Sequence, residues 1–270
     1  MITIKTPEEI ETLKRGGHIL GRILSEIAES VRPGISTKDL DDLAERLILA
    51  SGGEPSFKGY NPYGAKAAYP SALCVSVNDE VVHAIPHRKR ILEEGDIVGL
   101  DIGMWWPDRK SKIKNQKSKF WRPMATDTAV TVGVGKISKT AEKLIRVTKE
   151  ALELGIKEVR AGAKIGDIGA AIQKHIEKYG FGVVRDLAGH GVGYKVHEDP
   201  FVPNYGTRGE GLVLKEGMVI AIEPMATEGT WKVILDKDEW CFRTADGKLA
   251  AHFEHTVAVT KNGAKVLTLP

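Results

Sequence analysis

Apolar residues recur at helical spacing near the start of the chain, where Ile10, Leu13, Leu20, Leu24, Ile27 and Val31 form one stripe. That spacing predicts a long amphipathic helix with one buried face. Thr6-Pro7-Glu8-Glu9 supplies its start, with Thr6 as cap, Pro7 in the first turn and two acids on the positive end of the helix dipole. Pro33-Gly34 breaks the pattern, and Leu40, Leu43, Leu47 and Ile48 resume it as a second helix. Residues 54–71 are rich in Gly, Pro and Tyr and read as a loop. The period then changes: LCVSV (73–77), Val81-Val82-His83, IVGLDIGM (97–104) and DTAVTV (127–132) are β-branched runs that predict strands. Helices follow near 138–155 and 166–179, then a Gly-rich turn into GHGVGYKVHEDP (189–200), then strands at VIAIE, KVIL, WCFR and TVAV. Helices followed by a strand cluster, twice over, predict an α+β fold with helices packed on a curved antiparallel sheet.

The second round copies the first. LEEGDIVGLD (92–101) aligns without a gap on LKEGMVIAIE (214–223) at an offset of 122, and both segments end in a carboxylate, Asp101 and Glu223. Asp127 opens DTAVTV as Glu254 opens EHTVAV, 127 positions later. VRPGISTKDL (31–40) matches VRAGAKIGDI (159–168) at an offset of 128, and His83-Ala-Ile-Pro86 has a counterpart in His197-Glu-Asp-Pro200. Near-constant offsets imply two related halves, about 1–135 and 136–270, with a pseudo-twofold site between them. No Pro/Ser-rich linker separates these halves, so the expectation is one catalytic domain rather than two mobile ones.

Composition narrows the class further. A chain of 270 residues with 42% apolar content can bury a substantial core. The net charge of +3 is unevenly spread, because residues 105–122 hold seven Lys or Arg against Asp108 alone. The remainder is mildly acidic, so the overall basic balance carries no nucleic-acid signal for the body of the protein. Cys74 and Cys241 stand far apart without metal-ligand spacing, which excludes a disulfide framework and a zinc ribbon and fits a reducing cytoplasm. Neither a signal pattern nor an apolar run of membrane-spanning length is visible, so no membrane association is expected.

The chemistry lies in the duplicated acids. Asp101, Glu223 and Glu254 sit inside otherwise apolar strands where Lys and Arg are scarce, and a buried acid needs a partner. Carboxylates favour divalent cations, and an added imidazole, His190, tilts the choice towards manganese, iron, cobalt or zinc and away from calcium. Four acids and one histidine suit a dinuclear centre, since two cations at close range need a bridging carboxylate to offset their repulsion.

GHGVGYKVHEDP, AIEPM and FEHTVAV, with SVNDEVVHAIP upstream, resemble methionine aminopeptidase of type I over essentially the whole chain outside residues 105–122. The resemblance implies the pseudo-symmetric pita-bread fold, its helices on the outer face of the sheet. It also implies two divalent ions held by Asp101, Asp127, His190, Glu223 and Glu254. The activity implied is removal of the initiator methionine from peptides and nascent chains, preferentially when the second residue is small. Glu223 would relay a proton, His197 would stabilise the oxyanion, and His83 would hydrogen-bond beside the departing chain. Tyr60, Tyr69, Cys74 and Trp240 fall near the methionine pocket by the same resemblance. His255 would support its strand, while His18, His175 and His252 have no evident catalytic partner. A monomer is the family's usual state.

Three departures from the family pattern stand out. Val196 replaces a usually aromatic residue before His197, which alters that pocket wall, and GYNPYGAKAAYP (59–70) is longer than expected. The third is the insertion at 105–122, interposed where relatives have a short hairpin. Trp105, Trp106 and Trp121 are placed to clasp its base. Its lysines would make either a solvated hairpin extension or, through 108–122, an electrostatic contact with ribosomal RNA near emerging chains. The enzymatic alternative is an X-prolyl aminopeptidase or prolidase, although these carry an extra N-terminal domain. The type II enzyme needs an insert between His197 and Glu223, which stand only 26 positions apart. A metal-free binding protein of the same fold would have lost ligands that are all present here.

Overall fold

The computed structural model describes residues 2–62, 66–107 and 122–270. Two helices, α1 (Pro7–Glu29) and α2 (Thr37–Ala50), precede strands β1 (Glu54–Pro55), β2 (Leu73–Val77), β3 (Glu80–Val82), β4 (Ile97–Trp106) and β5 (Met124–Gly133). The order then repeats with α3 (Lys139–Lys157), α4 (Ile165–Lys178), β6 (Gly182–Val183), β7 (Ala188–Gly191), β8 (Glu198–Pro203) and β9 (Val219–Ile222). The chain ends through β10 (Met225–Thr227), β11 (Val233–Leu235), β12 (Phe242–Thr244), β13 (Ala250–His252), β14 (Glu254–Val259) and β15 (Ala264–Val266). The starts of α1 and α2 are closed by capping boxes, Thr6 with Glu9 and Ser36 with Asp39, as the Thr6 signal predicts. Among the described residues no helix is long and apolar enough to cross a membrane.

The main sheet runs β1-β4-β5-β14-β9-β7-β8, with β2 paired to β4 and β15 to β14. Among the described residues its strand pairings are all antiparallel. The duplicated strands are therefore mirrored about the β5–β14 pair, with β4 and β9 on either side. Side-chain direction follows from this register. Asp101 on β4 lies opposite Ala129 on β5, which lies opposite Glu254 on β14. Cross-strand partners share a face, and the two-residue period puts Asp127 on that face as well. His255, opposite Ile222, points the other way, so Glu223 returns to the face of Glu254. Gly191 lies opposite Ile220, so His190 also joins the acids.

Helices cover the opposite face. Leu24, Ile27, Leu40 and Ile48 of α1 and α2 pack with Val98, Leu100 and Ile102 of β4 in one core cluster. Leu144, Val147, Ile168 and Ile172 of α3 and α4 pack with Ile220, Ile222 and Val257 in another. Both cores are built from the residues that alternate with the acids, so burial of the apolar face fixes where the carboxylates point.

The repeat extends to individual hydrogen bonds. Gly34 N–H donates to Leu92 O at 2.8 Å and Leu92 N–H returns to Ile35 O at 2.9 Å. In the second half Gly162 N–H donates to Leu214 O at 2.9 Å and Leu214 N–H returns to Ala163 O at 2.8 Å. Gly34 and Gly162 turn this corner at φ +87 and +88, a region costly for any residue with a Cβ.

The strand expectations hold within a residue or two at β2, β4 and β9, while β5 begins three residues before DTAVTV. GHGVGYKVHEDP carries no strand signal in the sequence yet supplies most of β7 and the start of β8, because Ala188, Gly189 and Gly191 pair without any apolar alternation to reveal them. Replacing Gly34 or Gly162 by Ala is expected to destabilise the protein by about 1 kcal/mol each, through φ alone since no neighbour approaches the added methyl. Urea unfolding of the two variants checks this.

Candidate functional site

Five polar side chains converge on the bare face of the sheet. His190 Nε2 stands 3.6 Å from Asp127 Oδ2 and 3.5 Å from Glu223 Oε1. One ligand atom each from Asp127, His190 and Glu254 lie within 4.8 Å of one another. Asp101 and Glu223 complete the ring from the two equivalent strands, β4 and the end of β9. These separations are too long for hydrogen bonds. They suit donors that share an ion, because ligands about 2.1 Å from a common metal stand roughly 3.0–3.5 Å apart.

The electrostatics point the same way. Burial, with the charge of Asp127 beside it, pushes Asp101 well above the usual carboxylate range. Burial raises Glu254 and Glu223 likewise, reinforced by the neighbouring acids, and lifts Asp127 to about 7. Asp101 Oδ1 is buried with no hydrogen-bond partner. Such a cluster is costly unless a cation shares it. His190 is pushed down to about 4 by burial, so the ring is neutral. Its Nδ1 lies 2.9 Å from Gly191 O, and a proton shared there leaves the Nε2 lone pair facing the acids. Oxygen donors with one imidazole fit manganese, iron, cobalt or zinc.

Beside the cluster opens a cavity of about 760 Å³. His197 reaches it just before β8, its ring 4.2 Å from that of His190, and burial lowers it to about 3. Tyr60 Oη lies 2.8 Å from His197 Nδ1, and burial raises the Tyr60 phenol, so it keeps its proton. The lengthened loop therefore still delivers Tyr60 to the site; residues 63–65 within it lie outside the described residues. His83 enters from the end of β3 at φ +60, a strained conformation for a residue with a Cβ. Burial and the nearby imidazoles lower it to about 4.

Tyr69, Cys74 and Trp240 line the same cavity. Cys74 pairs with Asp101 across β2 and β4, so the register aims its thiol at the cavity, and burial pushes that thiol well up. Tyr69 packs edge-on to Trp240 at 5.2 Å and donates to Ala84 O at 2.9 Å. Val196 is 4% exposed and, among the described residues, stands apart from the cavity lining.

Two participants escaped the sequence reading. His252 on β13 brings Nε2 to 3.6 Å from Glu223 Oε2, and burial lowers it to about 3. The clue was its position two residues before Glu254, on the same side of extended chain. Glu198 is the other: its carboxylate accepts from Lys5 Nζ at 2.8 Å, from Thr3, and from the backbone N–H groups of Tyr194 and Lys195. This buried anchor holds the loop that ends in His197. His255 faces away, with Nδ1 2.9 Å from Thr268 Oγ1. Of the insertion, residues 108–121, Trp121 included, lie outside the described residues. At its base Trp105 and Trp106 pair with Ala125 and Met124, and Arg122 stacks 3.6 Å over Tyr194.

The pattern of metallopeptidase family M24 matches residues 11–113 and 120–261. The chain is 45% identical to the methionine aminopeptidase of Clostridium perfringens over 269 residues, covering 100% of this chain and 99% of that one. It is 43% identical to that of Aquifex aeolicus over 271 residues, covering 99% and 98%. The solved structure of methionine aminopeptidase from Thermotoga maritima matches along 100% of both chains with 42% identity and a TM-score of 0.89. Prolidase from Pyrococcus furiosus shares the fold at 24% identity and a TM-score of 0.73, over 99% of this chain and 65% of its own.

Stripping divalent ions with a chelator is expected to destabilise the protein. Restoring free manganese at about 100 times its Kd should return about 2.7 kcal/mol, read from the urea midpoint. Asp101→Asn and Glu254→Gln should each lose most of that gain.

Proposed function

The chain belongs to metallopeptidase family M24, and from that premise we propose that it hydrolyses the peptide bond after an N-terminal methionine. The observation that carries this reading is the convergence of four carboxylates and one neutral imidazole on one sheet face beside a cavity walled by Tyr69, Cys74 and Trp240. A thioether side chain suits that aromatic and sulfur surface.

In this reading Asp101, Asp127, His190, Glu223 and Glu254 hold two divalent ions. The chemistry such ions supply is Lewis acidity, which lowers the pKa of the attacking water and polarises the scissile carbonyl. Glu223 accepts the proton released by that water and passes it to the departing amine as the C–N bond breaks and the new C–O bond forms. His252, against the other oxygen of Glu223, limits how that carboxylate turns. Tyr60 donates to Nδ1 of His197, which leaves Nε2–H to donate to the oxyanion. His83 hydrogen-bonds beside the leaving chain. The free α-amine meets the carboxylate cluster, which restricts cleavage to the first residue.

The finer features belong to the same proposal: one catalytic domain of two halves, a monomer in the cytoplasm, and preference for a small second residue. For residues 108–122 the proposed partner is ribosomal RNA, on the strength of seven basic residues against one acid across 105–122. Deleting 108–120 should then weaken ribosome cosedimentation and flatten its salt dependence; an unchanged profile rejects the contact.

Purified, chelator-stripped protein should release methionine from Met-Ala-Ser only after manganese, iron, cobalt or zinc is added. Release from Ala-Pro peptides alone would move the chain to the prolyl branch. His197→Ala should lower kcat by about 100-fold or more with metal content unchanged, as loss of an oxyanion donor does. Tyr60→Phe should lower kcat less, by roughly 10-fold, since the imidazole remains but its tautomer is no longer fixed.

A further inference from the structure

Phe201 is 62% exposed, more than the other large apolar side chains among the described residues, and it sits on β8, the end strand of the main sheet. Sheet edges that present apolar side chains to water invite a partner. The burial pattern of β8 turns Pro200 and Val202 inward and leaves Asp199 and Phe201 outward. Period two therefore sets His197, Asp199 and Phe201 in one row, and all three line the catalytic cavity.

A second hollow of about 590 Å³ begins where the first ends, sharing Asp199 and Phe201 and continuing over Ile2, Ile165, Pro203 and Leu212. Leu212 and Val213 beside it are themselves 36% and 42% exposed. Phe201 thus stands at the junction between the catalytic cavity and an apolar groove. The continuity of the two identifies the occupant: the part of the substrate polypeptide that follows the cleaved bond.

We propose that Phe201, with Leu212 and Ile2, forms a downstream subsite that takes an apolar side chain from the fourth or fifth residue of the substrate. The position follows from strand geometry and rests on the reading of His197 given above. Extended chain rises about 3.3 Å per residue, so the four steps from His197 to Phe201 span at most roughly 13 Å. A substrate whose first carbonyl meets His197, and which runs out beside β8, spends about four residues reaching Phe201. The enzyme's rate then depends on sequence well beyond the residue that cleavage exposes.

The test compares kcat/KM for Met-Ala-Ser-Leu-Leu-Ser and Met-Ala-Ser-Ser-Ser-Ser in the metal-loaded protein. Partial burial of a leucine is expected to favour the first by about 10-fold. Phe201→Ser should bring the ratio close to one, and Phe201→Leu should restore most of it. Because each protein is judged by its own ratio of two peptides, a general loss of activity does not imitate the result. A wild-type ratio near one, or one that Phe201→Ser leaves intact, overturns the subsite while Met-Ala-Ser cleavage keeps the underlying reading in place. Failure to release methionine from any of the three peptides overturns both.

Discussion

Four carboxylates packed onto one buried sheet face repel one another, and among the described residues no Lys or Arg is paired with them. That unresolved repulsion is the constraint to which the surrounding structure answers. The helices cover the other face and leave this one for the charges. The nearby histidines are held neutral by burial, so they neither compete with a cation nor quench the acids. The arrangement costs stability in the metal-free protein and becomes favourable only with divalent ions in place. Function and folding energy are thus linked through one electrostatic balance.

Register carries this constraint through the fold. A slip of one residue by β14 against β5 would turn Glu254 into the helix-facing core and bring His255 into the cavity. The apolar cluster prevents it, since Val257 would then leave the core for the carboxylate face. Glu198 plays a comparable part outside the sheet. Four donors converge on its carboxylate, so the segment between β7 and β8 keeps a single path to His197.

Much of this was legible in the sequence because the duplication doubles each signal. Asp101 and Glu223 announce themselves by ending matched apolar strands, and the helices announce themselves by stripe and cap. Elements without apolar alternation were hidden: β7 is made of Ala, Gly and His, and β13 spans three residues. His252 was passed over because its partner, Glu223, is remote in sequence. Resemblance alone placed Tyr60 near the site, and only the structure shows its bond to His197, since loop length does not determine where a phenol ends up. Glu198 stands in plain view in the HEDP run, yet its partner Lys5 is 193 positions away.

The central β5–β14 pair has a consequence for how the protein comes into being. It joins Ala129 to Glu254, and neither half of the ring of donors exists without the other. Closing so long a chain segment is entropically demanding, and contacts between distant residues form slowly. During synthesis the first half can fold around α1, α2 and β4 while the centre stays incomplete. Only when β14 has left the ribosome and slid between β5 and β9 do all five donors meet. The newborn chain is thereby inert until its last strands arrive, a timing set by topology alone.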